Sequence, residues 1–179
     1  MRALDENVGR LLDYLDASGL AKNTIVVYAS DQGFFLGEHG WFDKRWIFAE
    51  SLRTPLLVRW PGHITAGDVD STTITCNVDV FPTLCKLAGV KPPDATLDGQ
   101  DMSAAWLGKP EQRARPLVWE YGFNQYYLKP GNPRYRSPDL AIRDGKWKLL
   151  VNHDGSGLEL YDLSSDIAES DNVASAHPD

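Results

Sequence analysis

The sequence predicts an α/β protein followed by a small α+β subdomain with an antiparallel sheet, on three observations. A helix-period apolar stripe over residues 4–15 runs straight into Thr24-Ile25-Val26-Val27-Tyr28-Ala29, a β-branched run without the alternation of a half-exposed strand. Residues 91–98, rich in proline and aspartate, then interrupt the composition. Beyond that break, short apolar runs flank Asp144-Gly145, a strong hairpin signal.

Each element has its own warrant. Leu4, Val8, Leu11, Leu12 and Leu15 share one helical face, and Gly19 follows as a left-handed cap would. A helix leading directly into a strand covered on both faces implies a parallel sheet. Residues 47–51 read as a short helix, Pro55 to Trp60 as a second strand, and Thr72 to Cys76 as a third, more polar one. Asn77 and Asp79 can cap a helix whose apolar face is Val80, Phe81, Leu84, Leu87 and Ala88 and whose stop is Gly89; Pro82 is tolerable in its first turn. Ser103 can cap one further turn. Residues 117–121, 140–143, 146–151 and 158–163 read as four strands of an antiparallel sheet carrying a terminal helix, with Trp119, Trp147 and Leu149 in its core. The expected division is 1–98 and 99–179.

The parallel sheet is short of strands. Residues 1–90 supply two good candidates, whereas sheets average about five or six. A flank of Thr24–Ala29 is therefore expected to be an unpaired apolar edge, which invites self-association, or to find its neighbours in residues encoded elsewhere.

Composition narrows the function. The 179 residues are 42% hydrophobic and 24% charged, as in ordinary globular proteins. A formal net charge of -7 argues against a binder of nucleic-acid backbones. No stretch approaches the ~20 apolar residues that span a bilayer, so neither a membrane partner nor a signal peptide is read here. Cys76 and Cys85 could form one disulfide, but two free thiols are the simpler expectation.

The chemistry gathers in the loop after the first strand, Ser30-Asp31-Gln32-Gly33 through Lys44-Arg45. Asp31 and Gln32 offer a carboxylate and an amide carbonyl, hard oxygen donors that suit calcium or magnesium better than zinc. An acid at a strand end equally caps the next turn. Lys44 can hold a tetrahedral anion or simply be solvated. His39 can give a proton to a substrate oxygen or bond a neighbouring carbonyl. Further on, Tyr121, Phe123, Tyr126, Tyr127 and Tyr135, with Lys129, Arg134 and Arg136, suit an anionic sugar or packing between subdomains.

Several motifs, in order, resemble the second half of the sulfatase family of the alkaline-phosphatase superfamily. They are Asn7-Val8-Gly9-Arg10-Leu11-Leu12, Ser30-Asp31-Gln32-Gly33, Leu36-Gly37-Glu38-His39-Gly40, Lys44, Glu50-Ser51-Leu52-Arg53-Thr54-Pro55, Asn77-Val78-Asp79-Val80-Phe81-Pro82, Arg143-Asp144-Gly145-Lys146-Trp147 and Leu160-Tyr161-Asp162-Leu163. The resemblance implies part of a sulfatase-type α/β/α sandwich followed by the C-terminal subdomain. It also implies hydrolysis of sulfate esters, often on carbohydrates, by a hydrated formylglycine. Asp31 and Gln32 would be calcium ligands, Lys44 and His39 catalytic residues, and Lys44, His39 and Arg45 substrate-binding residues, Lys44 contacting sulfate and His39 lying in the pocket lining. A periplasmic, secreted or lysosomal-type compartment is what the family implies.

The formylglycine motif of that family, C/S-x-P/A-x-R, has no match: neither Cys76-Asn77-Val78 nor Cys85-Lys86-Leu87 fits. The expectation is a C-terminal portion without turnover of its own. Two other readings stand beside it: a non-catalytic module binding sulfated glycans or a protein partner, and a related phosphoester or phosphonate hydrolase. Gln32 speaks against the last, because those enzymes commonly place a metal-binding histidine there.

Overall fold

The computed structural model describes residues 2–121 and 137–178. Of the aromatic and basic stretch, Phe123, Tyr126, Tyr127, Lys129, Arg134, Tyr135 and Arg136 lie outside the described residues. The chain forms two compact units: Met1–Ala29 with Pro55–Glu111, and Ser30–Thr54 with Gln112–Asp179.

In the first unit, helix α1 (Arg2–Ala17) ends where expected, with Gly19 at φ +73° and the Leu20 N–H returning to the Leu15 carbonyl. Strand β1 (Val26–Ala29) pairs with β4 (Leu56–Arg59), Val26 opposite Arg59 and Ala29 opposite Leu56. Arg59 Nη2 reaches both oxygens of Asp16, at 2.8 and 3.0 Å, and Trp60 Nε1 donates to the Lys22 carbonyl, tying the end of α1 to β4. Helix α3 (Val80–Leu87) is preceded by a 3-10 turn, Asn77–Asp79. The buried Asp79 carboxylate accepts from the Cys76 and Gln100 N–H groups, and Thr83 Oγ1 accepts from Met102 N–H. A short helix α4 (Ser103–Trp106) follows, and Asp101 rather than Ser103 supplies its side-chain acceptor.

Two expectations for this unit are corrected. The β1–β4 pairing is antiparallel and β1 is only half covered. A parallel pairing needs a crossover running back along the sheet; Ala29 and Leu56 instead stand opposite each other, so the intervening chain leaves and returns at the same end. Thr72–Cys76 is not a strand. Asp70 Oδ1 accepts from the Thr72 N–H, the Thr72 hydroxyl and the Thr73 N–H, a local turn that competes with a ladder. Both cysteines are free thiols, as expected.

The second unit is built on the sheet β5 (Leu117–Glu120), β6 (Leu140–Asp144), β7 (Trp147–Val151) and β8 (Glu159–Asp162), antiparallel in that order. Gly145 at φ +53° makes the β6–β7 hairpin turn, with Asp144 opposite Trp147. A second hairpin, β2 (Phe35–Leu36) with β3 (Phe42–Asp43), and the single helical turn α2 (Ala49–Leu52) belong to residues 30–54. Phe35, Trp41, Ile47, Phe48, Ala141, Leu150 and Tyr161 form one core, so the polar loop is anchored by its own aromatics. Trp41 is buried there, stacked on Trp46 at 4.4 Å between ring centroids, whereas Phe42 is exposed.

The small sheet departs from expectation twice. The core face of β7 is Lys148 and Leu150, while Trp147 and Leu149 lie half-buried on the other face. A strand alternates with period two, so one buried lysine reverses the assignment. Among the described residues the terminal segment holds a 3-10 turn, Ala174–Ala176, and no α-helix follows β8. Its backbone bonds to β8 instead, Val173 N–H to the Leu160 carbonyl and Leu160 N–H to Asn172 Oδ1.

Candidate functional site

Asp31 stands two residues past the end of β1, exposed and without a hydrogen bond to a described residue. Gln32 next to it is held closely. Its backbone carbonyl accepts from Ser30 Oγ, and its side-chain Nε2 donates to the carbonyl and hydroxyl oxygens of Ser51, at 2.6 and 2.9 Å. A carbonyl can only accept, so the Gln32 NH2 must face Ser51, and Oε1 is the end left without a described partner. Gly33 N–H donates to the same Ser51 carbonyl. Here glycine is obligatory: a Cβ would sit 2.0 Å from the Glu50 carbonyl oxygen.

The β2–β3 hairpin carries His39 at its tip. The Glu38 carboxylate accepts from Leu36 N–H, which holds its pKa below the usual carboxylate value and closes the turn. His39 has φ +53°, a left-handed backbone that histidine adopts uncommonly, and its ring lies over Phe48 with centroids 4.5 Å apart. Its Nε2 stands 3.5 Å from Glu50 Oε2, and both side chains are four-fifths covered. Thus His39 faces a carboxylate.

Lys44 follows a strained residue. Asp43 is at φ +108°; its Oδ1 accepts from Lys44 N–H and its Oδ2 pairs with Arg45 Nε at 2.7 Å. The Arg45 guanidinium, first among the causes, holds the Asp43 carboxyl below its ordinary pKa. Burial raises the Tyr121 hydroxyl, whose neighbours include Asp43 and Arg45. Arg45 is therefore engaged by Asp43, while Lys44 makes no ion pair or hydrogen bond with its ammonium to a described residue and is exposed. The structure thus joins Gln32 to residue 51 and His39 to residue 50.

Among the described residues no group of three or more His, Cys, Asp or Glu could hold a metal ion. Asp31 and the Gln32 carbonyl fit a hard cation by donor type, two ligands where calcium takes six to eight.

Sequence reasoning missed Glu50, Ser51, Lys148 and Glu169. Glu50 and Ser51 lie in a motif of the family resemblance that gave them no role of their own, and Ser51 is buried at 2% exposure. Lys148 sits in a strand beside Trp147 and Leu149, and Glu169 in an acidic, serine-rich tail that reads as solvated. A lysine on the alternate face of a strand otherwise apolar is the one signal that could have revealed the pair.

A strand-end carboxylate and amide, an exposed lysine and a histidine facing a carboxylate all lie within residues 31–50. Residues 37–178 match the family described as N-sulphoglucosamine sulphohydrolase, C-terminal, and the chain belongs to the sulfatase family of the alkaline-phosphatase superfamily. Over 176 residues it is 42% identical to an N-acetylglucosamine-6-O-sulfatase of Bacteroides thetaiotaomicron, covering 96% of this chain and 30% of that one. With a choline-sulfatase of Rhizobium meliloti the identity is 34%, covering 96% and 31%. The solved complex of an enzyme with its substrate D-glucosamine-2-N,6-O-disulfate superposes with a TM-score of 0.76 at 39% identity, covering 96% of this chain and 34% of that one. The chain therefore spans about a third of the length of these relatives.

Proposed function

We propose that this chain is the C-terminal portion of a sulfuric ester hydrolase acting on sulfated carbohydrate, and that it has no turnover alone. The observation that carries the reading is the Gln32 amide, turned by Ser51 so that its oxygen is the free end, next to Asp31 within a chain of the sulfatase family. Asp31 and Gln32 would hold calcium through oxygen. Calcium and a formylglycine from outside these residues would supply charge neutralisation on sulfate and the attacking oxygen. Lys44 binds a sulfate oxygen as a point charge, with Arg45 beside it fixed by Asp43. His39 donates a hydrogen bond or a proton to a substrate oxygen, with Glu50 facing its ring. The compartment proposed is periplasmic, secreted or lysosomal-type; no helix among the described residues is long and apolar enough to cross a membrane.

The substrate class rests on the relatives, whose names specify sulfated glucosamine and choline. The test joins the chain to the polypeptide encoded upstream of it and assays release of sulfate from glucosamine-6-sulfate. Lys44→Ala in the joined protein is expected to lower kcat/KM by roughly a hundredfold or more, and the chain alone to release no more sulfate than the same chain carrying Lys44→Ala. Sulfate release by the isolated chain above that level would sink the reading. A second reading, phosphonate ester hydrolysis, draws on the phosphonate monoester hydrolase of Agrobacterium radiobacter, which superposes with a TM-score of 0.74 at 30% identity. A phenylphosphonate ester assayed beside the sulfate discriminates the two.

A further inference from the structure

The Glu169 side chain is wholly buried. One of its oxygens lies 2.5 Å from Lys148 Nζ, and the other accepts from the backbone N–H of Ala49. Its backbone is left-handed, φ +50°, a conformation that costs a non-glycine residue on the order of 1 kcal/mol and persists only where contacts impose it. Ala49 opens α2, the single turn that also carries Glu50 and Ser51. With four residues, α2 has too few internal hydrogen bonds to hold itself. An acceptor for its first N–H is then a large part of what fixes it.

What α2 carries is what touches the candidate site. Ser51 takes the Gln32 NH2 and the Gly33 N–H, and Glu50 faces His39. A buried Lys–Glu pair is a poor device for stability alone, since desolvation offsets most of its attraction and an apolar pair would fill the space as well. Its charge is explained by the Ala49 N–H: a carboxylate accepts there strongly, and Lys148 neutralises it within the core.

We propose that Glu169, neutralised by Lys148, is a positioning residue: it fixes the turn 49–52 and, through Ser51, holds the Gln32 amide with its oxygen as the free end. That this oxygen serves a cation rests on the reading given under Proposed function; the orientation of the amide does not.

The experiment is NMR of the 15N-labelled full chain without metal. The Gln32 side-chain amide signals are identified by their loss in Gln32→Glu. In Glu169→Ala these signals move to the positions of free glutamine, and the Gly33 N–H exchanges about tenfold faster or more, while the amides of β6, β7 and β8 stay protected. The double variant Lys148→Met with Glu169→Gln, which keeps an acceptor for Ala49 and leaves no orphan charge, restores both signals. Unchanged Gln32 and Gly33 signals in Glu169→Ala with the sheet intact overturn the proposal, as does failure of the double variant to restore them with the sheet intact. Should Glu169→Ala not fold, the double variant alone decides, by native or lost Gln32 signals. Calcium added to the same samples reports separately: no response of Gln32 would remove the ligand role and leave the positioning result standing.

Discussion

Lys148 Nζ lies 2.5 Å from Glu169 Oε1, with the two side chains 3% and 0% exposed. Burial disfavours both charges, lowering the Lys148 pKa and raising that of Glu169, while each partner opposes the shift of the other. Removing one partner leaves the other charged and dry. Lys148→Met or Glu169→Gln alone should therefore lose about 3–5 kcal/mol in guanidinium unfolding, and the double variant carrying both clearly less than the sum. Additive losses would refute the coupling.

Gly33→Ala tests the close approach behind Gln32. The new methyl would meet the Glu50 carbonyl at 2.0 Å, a backbone atom that cannot swing aside. The hydrogen bond from Gly33 N–H to Ser51 must lengthen, at a cost of about 1–3 kcal/mol. Thermal unfolding measures the loss, and a variant as stable as the parent would show that the loop moves freely.

Acid should loosen the β7–β8 pair through Asp162. Lys146 at 2.6 Å, then the Ser164 hydroxyl, pull its carboxyl down from 3.8 to about 2. A depressed folded pKa means that the unfolded chain takes up the proton first, so the contribution is complete above about pH 4 and fades as pH falls towards 2. Lys146 is half exposed, and the effect is correspondingly modest. Asp162→Asn should flatten the acid limb of stability against pH; equal slopes for parent and variant between pH 4 and 2 would contradict the assignment.

Self-association is expected of the first unit. Leu11 and Tyr14 on α1 and Leu57 on β4 are exposed at 53%, 62% and 58%, and among the described residues β1 and β4 form a sheet of two strands. Sedimentation at high micromolar concentration should show dimers or larger species, and Leu57→Lys, an edge lysine, should shift them towards monomer. A single monomeric species for the parent chain would rule this out.

Much of the second unit was legible in the order of residues. The Asp144-Gly145 turn, the four strand runs and the polar loop with Asp31, Gln32, His39 and Lys44 are local patterns, set within a few residues by backbone preference and side-chain type. In the first unit the stops at Gly19 and Gly89 were read the same way, each at positive φ. The pairing of β1 was not, because an apolar run shows that a strand forms but not which way its neighbour runs.

Sequence alone thus determined the family, the strand-end loop and the oxygen character of the Asp31–Gln32 pair. Only the tertiary structure decided which end of the Gln32 amide is free, which face of β7 is core and what stands behind His39. The reason is common to all three. Each depends on a partner brought from elsewhere in the chain, Ser51, Glu169 or Glu50, and the cost of burying a polar group is settled by that partner rather than by the residue itself.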